Sequence, residues 1–93
     1  MRQIEWTGAF KRDYRKVTAN PRHRNLDQLL GLILPLLAED QTLPLSQHDH
    51  ALTGDWKDHR DCHIKPDLVL IYRKQDEDVL QLVRIGSHSE LGM

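Results

Sequence analysis

Asp61 and His63 stand two residues apart in the stretch Lys57 to Ile64. If that stretch is extended, both side chains leave the same face. Pro66 then forces a turn, so Asp67 begins the adjoining strand near the same edge. An antiparallel return of the last strand brings Arg84 and then His88 toward it, and the polar segment before Lys57 delivers His50 from outside. Four of these groups, His50, His63, Asp67 and His88, suit proton transfer at an RNA phosphodiester, with Asp61 and Arg84 in support. Two imidazoles with ordinary pKa values near ~6.5 serve as base and acid at neutral pH. The base takes the proton of the ribose 2′-hydroxyl as it attacks phosphorus, and the acid protonates the leaving 5′-oxygen. Arg84 can stabilise the negative charge that develops between these events, and Asp67 can hold an imidazole tautomer or raise its pKa. No metal is needed for this sequence of steps.

Taken singly, each residue has an ordinary alternative. His50 suits a solvated loop, and His63 with Asp61 a surface ion pair. Asp67 suits a turn after Pro66, Arg84 a sheet ion pair, and His88 a frayed terminus. A rival set of metal donors, His48, Asp49, His50 and His63, matches no strong zinc spacing, and Cys62 points away from His63. His23, His48 and His59 receive no catalytic role.

The elements that must position these groups follow from periodicity. Arg2 to Trp6 reads as a short strand with Ile4 and Trp6 on one face. Thr7 can cap a first helix, on which Phe10, Tyr14 and Val17 form the inner stripe and Lys11, Arg12, Arg15 and Lys16 a basic outer face. Asn20-Pro21 fits the cap and first position of a second helix. Its stripe is Leu26, Leu29, Leu30, Ile33, Leu34 and Leu37, and Pro35 should kink or shorten its last turn. Residues 39–56 show no sustained period and read as a long loop. Lys57 to Ile64, Leu68 to Tyr72 and Val79 to Ile85 read as strands, the middle one an unbroken apolar run expected at a sheet centre. The expected fold is α+β, order β-α-α-β-β-β, with two N-terminal helices on one face of an antiparallel sheet.

Composition narrows the class. A chain of 93 residues suits one domain spanning 1–93 with one modest core. The single cysteine, Cys62, precludes an internal disulfide, and the start of the chain lacks a signal-peptide apolar stretch, so a cytoplasmic protein without membrane attachment is expected. Net charge is −1, yet residues 1–24 carry seven basic side chains against two acidic ones, while residues 47–93 hold five of the six histidines. A basic end beside a histidine-rich end fits phosphate binding combined with proton transfer.

The run Asp49-His50-Ala51-Leu52-Thr53-Gly54-Asp55-Trp56-Lys57 continues through Arg60-Asp61-Cys62-His63-Ile64 and Pro66-Asp67 to Leu70-Ile71-Tyr72-Arg73. Together with the tail Arg84-Ile85-Gly86-Ser87-His88-Ser89-Glu90-Leu91, it closely resembles the pattern of YafQ-type toxins in the RelE superfamily, across essentially the whole chain. The resemblance implies a RelE-like fold and the toxin half of a toxin–antitoxin pair. It further implies an endoribonuclease that enters the ribosomal A site and cleaves mRNA without a cofactor. The family's catalytic positions fall on His50, His63, Asp67 and His88, with Asp61 supporting the site and Arg84 contacting phosphate. Implied partners are a cognate antitoxin, the ribosome and mRNA, with operator DNA reached through the antitoxin. The basic face of Lys11, Arg12, Arg15 and Lys16, extended by Arg22 and Arg24, can meet ribosomal RNA phosphates or an acidic antitoxin segment. Two departures stand out: Gly92 and Leu68 occupy positions where many relatives carry an aromatic residue able to stack on a base. A non-cleaving module that occupies the ribosome or a partner is the alternative reading.

Overall fold

The computed structural model describes residues 1–93. Five strands, β1 (Gln3–Trp6), β2 (His50–Ala51), β3 (Arg60–Lys65), β4 (Leu68–Lys74) and β5 (Val79–Gly86), and two α-helices, α1 (Gly8–Thr18) and α2 (Leu26–Ala38), make an α+β fold. The sheet order is β1-β5-β4-β3-β2. The central strand β4 has both faces covered, and Leu68 to Tyr72 are at most 1% exposed. This double burial is why its sequence is a continuous apolar run rather than an alternation.

Both helices lie on one face of the sheet. Phe10 and Val17 of α1 and Leu26, Leu30, Ile33, Leu34 and Leu37 of α2 pack on Ile64, Leu70, Tyr72, Leu80, Leu82 and Ile85. Thr7 caps α1 as expected, its Oγ1 accepting from Phe10 N at 3.3 Å, and Lys11, Arg12, Arg15 and Lys16 are all exposed. The opposite face is covered only by a small cluster of Val69, Ile71 and Leu91, edged by Leu52, Trp56 and Val83. Cross-strand partners in an antiparallel ladder share a face. Asp61 opposes Ile71 and His63 opposes Val69, so both project on the face away from the helices.

Several expectations need correction. The sheet is mixed: β1 pairs parallel with β5, and the other pairings are antiparallel. Beyond Trp6 the chain leaves the edge of β5, and α1 takes over its exposed polar groups. Thr7 N and Oγ1 donate to Leu82 O, and the Asp13 carboxylate accepts from Ile85 N at 3.1 Å. Residues 39–56 are not one loop. They contain 3₁₀ turns at Leu45–Gln47 and Gly54–Trp56 and the two-residue strand β2, which makes the order β-α-α-β-β-β-β. Asn20 does cap and Pro21 does begin a helical segment, but it is a 3₁₀ turn, Pro21–His23, and α2 starts only at Leu26. Pro35 sits inside α2 without shortening it, since the helix runs on to Ala38. Strand β3 begins at Arg60 rather than Lys57, because Lys57 and Asp58 are spent on a turn in which Asp58 takes a φ of 70°.

Candidate active site

Three imidazoles form a row on the open face of the sheet. The ring of His63 on β3 lies 5.0 Å from that of His48 and 5.1 Å from that of His88, centre to centre. His50 joins them through Asp61. Its Nδ1 lies 2.7 Å from the His48 carbonyl oxygen and 3.0 Å from Asp61 Oδ1. A carbonyl can only accept, so Nδ1 carries a proton, and in the neutral ring Nε2 is the nitrogen with the lone pair. The approach to Asp61 lacks hydrogen-bonding geometry, and both carboxylate oxygens of Asp61 are buried without a hydrogen-bond partner.

Burial sets the electrostatics. The Asp61 residue is fully buried, which pushes its carboxyl pKa up, against the opposing pull of His50, His63 and His88. His63 is driven the other way: burial first, then the nearby His88 and His48, lower its pKa from 6.5 and keep the ring neutral near pH 7.

Each imidazole is held by local structure. His48 ends the 3₁₀ turn Leu45–Gln47 in the left-handed conformation, φ 49° and ψ 44°. The next residue, Asp49, ties this loop to the sheet by accepting from the Tyr72 hydroxyl at 2.5 Å and from Arg60 Nε at 3.3 Å. Tyr72 is fully buried, and its phenol is raised above the usual range, by burial and then by the Asp49 contact. The tail is not frayed. Ser87 N donates to Glu90 Oε1 at 2.9 Å and Glu90 N donates to Ser87 Oγ at 3.1 Å, a reciprocal capping box. The turn closes with Met93 N to His88 O and Gly92 N to Ser89 O, with Gly92 at φ +74°. This is a Schellman closure, and it accounts for glycine at position 92: a side chain there would sit in a left-handed conformation that favours glycine. Leu91, 6% exposed, anchors the turn in the cluster beneath it. Leu91→Ala should therefore cost less in folding than in function. Loss of the anchor lets His88 wander, and misplacement by about 1 Å can cost on the order of 100-fold. Cleavage rates of the folded variant, with hydrogen exchange at the tail amides, check this.

Not every expected residue joins the row. Asp67 lies in the turn before β4, exposed, with Oδ2 2.9 Å from Arg22 Nη2, so its partner is that guanidinium and not an imidazole. Arg84 is engaged with Asp13 of α1, Nε to Oδ2 at 2.5 Å and Nη2 to Oδ1 at 3.2 Å, so it does not reach out as a free phosphate contact. Asp61 is not a surface partner of His63 but a buried carboxylate beside His50. Leu68 is buried in the helix-side core and does not substitute for a stacking aromatic. His48, weighed from the sequence only as a metal donor and given no catalytic role, belongs to the row; nothing in its flanking residues marks the left-handed turn that points it there. No three His, Cys, Asp or Glu side chains converge where a metal ion could be held.

A family profile described as a bacterial toxin of type II toxin–antitoxin systems, YafQ, matches residues 2–93. The mRNA interferase toxin YafQ of Escherichia coli K12 is 37% identical over 90 residues, which is 97% of this chain and 95% of that protein. The crystal structure of a copper-bound mutant toxin from Helicobacter pylori has a TM-score of 0.89 at 40% identity, covering 98% of this chain and 99% of that one. YafQ in the Escherichia coli DinJ–YafQ complex has a TM-score of 0.80 at 35% identity, covering 98% of each chain.

Proposed function

The chain belongs to the YafQ family of bacterial toxins of type II toxin–antitoxin systems and is an endoribonuclease, and we propose that it cuts mRNA in the ribosomal A site by acid–base transesterification. The observation that carries this reading is the 2.7 Å contact of His50 Nδ1 with the His48 carbonyl: with Nδ1–H committed there, Nε2 of the neutral ring takes the 2′-hydroxyl proton. Asp61 beside it stabilises the imidazolium that forms. His88, on its capped turn, supplies the proton to the 5′-oxygen leaving group. His63 between them, neutral at pH 7, donates a hydrogen bond to a non-bridging phosphate oxygen. Asp67 enters the site once Arg22 releases it. The exposed Arg22–Asp67 pair is worth only ~0–1 kcal/mol, so an RNA phosphate can draw Arg22 away. All protons in this scheme are carried by side chains of this chain.

The basic outer face of α1, Lys11, Arg12 and Arg15, docks on ribosomal RNA in the cytoplasm, and a cognate antitoxin blocks that docking. DinJ is found in complex with YafQ of Escherichia coli; in our reading this chain pairs likewise with its own antitoxin, through which the pair reaches operator DNA. One experiment tests the chemistry: sequencing and end analysis of mRNA cut on programmed ribosomes, with and without chelator. The expected products carry 2′,3′-cyclic or 3′-phosphate ends at an unchanged rate. Ends with 3′-hydroxyls, or loss of cutting on chelation, would overturn the acid–base scheme in favour of metal-assisted hydrolysis. Stalled ribosomes with no new 5′ ends would point to a module that binds without cutting.

A further inference from the structure

Beside the tail turn a cavity of about 440 Å³ opens between the end of α1, the 3₁₀ turn Pro21–His23 and the turn before β4. Its wall includes Lys16, Asn20, Arg22, His23, Asp67 and Ser87. We propose that this cavity is the subsite for the nucleotide flanking the scissile phosphodiester of the mRNA strand, with Lys16 and Arg22 holding its phosphate; the proposal rests on the nuclease reading above.

Four observations lead there. The volume lies at the small end of the ~300–1,000 Å³ typical of small-molecule sites. Position is the second: Ser87 lines the cavity and the next residue is His88, whose ring meets His63. A strand that passes the tail turn at His88 can thus reach the cavity along Ser87. Charge is the third. Lys16 and Arg22 are exposed cations, and Arg22 is held only by an ion pair whose side chains are 75% and 47% exposed. Lys65 adds a further positive group by donating from Nζ to the Arg22 carbonyl at 2.6 Å. The fourth is His23, a residue with no part in the acid–base row. It is 8% exposed, lines the cavity, and its Nδ1 is buried without any hydrogen-bond partner. Buried polar groups are almost always paired, so an orphan of this kind calls for a partner from outside the chain or a closure that brings one. An acidic protein segment fits less well. Asp67 and Glu90 share the wall with the cations, which tolerates one phosphodiester but repels a run of carboxylates.

The test uses the whole chain and a 2′-deoxy dinucleotide that cannot be cut, titrated while backbone amide and imidazole NMR signals are followed. The expected result is a saturable shift at Lys16, Arg22, His23 and Ser87. Affinity should fall about tenfold or more in Lys16→Ala/Arg22→Ala, recover in part in Arg22→Lys, and persist in His88→Ala. In ribosome-programmed cleavage the same double variant should alter base preference next to the cut. Shifts confined to other residues, no shift at millimolar dinucleotide, or unchanged affinity in the double variant would overturn the subsite. So would a double variant that only needs more toxin for half-maximal cleavage at the same base preference, because the cations would then serve ribosomal RNA. An acidic antitoxin peptide that shifts these residues when the dinucleotide does not would overturn it too. The nuclease reading fails separately: normal cutting by folded His88→Ala removes it whatever the dinucleotide does.

Discussion

His88→Ala is expected to lower mRNA cleavage by ~10²–10⁴-fold, the usual range for loss of a general acid, while the protein stays folded. His88 lies outside both hydrophobic clusters, and its ring meets that of His63. Removing its side chain therefore takes away proton donation and little packing. His59→Ala is the control. That ring packs edge-on to Trp56, and its Nδ1 bonds back to the Lys57 carbonyl, so cleavage should stay near the wild-type rate. Rates on programmed ribosomes beside circular dichroism of each variant give the comparison. A folded His88→Ala protein that cuts at more than a tenth of the normal rate would remove the tail imidazole from the mechanism.

Asp61→Asn should move stability and activity in opposite directions. The Asp61 carboxylate is fully buried with no hydrogen bond to either oxygen, and a buried unsatisfied group of this sort costs ~1–3 kcal/mol. Burial raises its pKa in the folded protein above 3.8. A group raised on folding contributes its stabilisation in the protonated form: fully present below the unfolded value, lost as pH rises through the folded one. At pH 7 the ionised carboxylate is thus a net burden, partly offset by the imidazoles around it. Asparagine keeps the shape and removes the charge. A gain of about 1 kcal/mol, or roughly 4–8 °C in Tm for a domain of this size, is expected at pH 7, shrinking toward zero below pH ~4. Cleavage should fall at least ~10-fold, because the His50 imidazolium loses its counter-charge. Thermal melts at the two pH values and parallel rate measurements decide it; an Asp61→Asn protein that melts earlier at pH 7 would refute this account of the carboxylate.

The helices and the central strand were legible because their signals are local. The stripe Leu26, Leu30, Ile33, Leu34 and Leu37 and the run Leu68 to Tyr72 state their burial in their own spacing. His63 and His88 were also within reach, since antiparallel ladders β3–β4–β5 put His63, Val69 and Gly86 in one row, and His88 follows two residues on. The parallel addition of β1 to β5 was not, because a parallel edge strand of four residues carries no local mark of its partner. Nor were the pairs Arg84–Asp13 and Arg22–Asp67, which join residues far apart in the chain. Arg84 has its acidic partner on α1 rather than in the sheet, because α1 runs along the edge of β5. The tail was different: Ser87-His88-Ser89-Glu90 is a readable capping box, overshadowed by the expectation that chain ends fray.

That tail has a kinetic consequence. Between Ser87 and Met93 the turn is closed at both ends by its own atoms and pinned by Leu91. The rotational freedom of the His88 backbone is thus surrendered when the protein folds, not when substrate arrives. Each catalytic cycle then begins with the proton donor already aimed, and the ordering entropy that a floppy terminus would charge against every turnover does not enter the barrier.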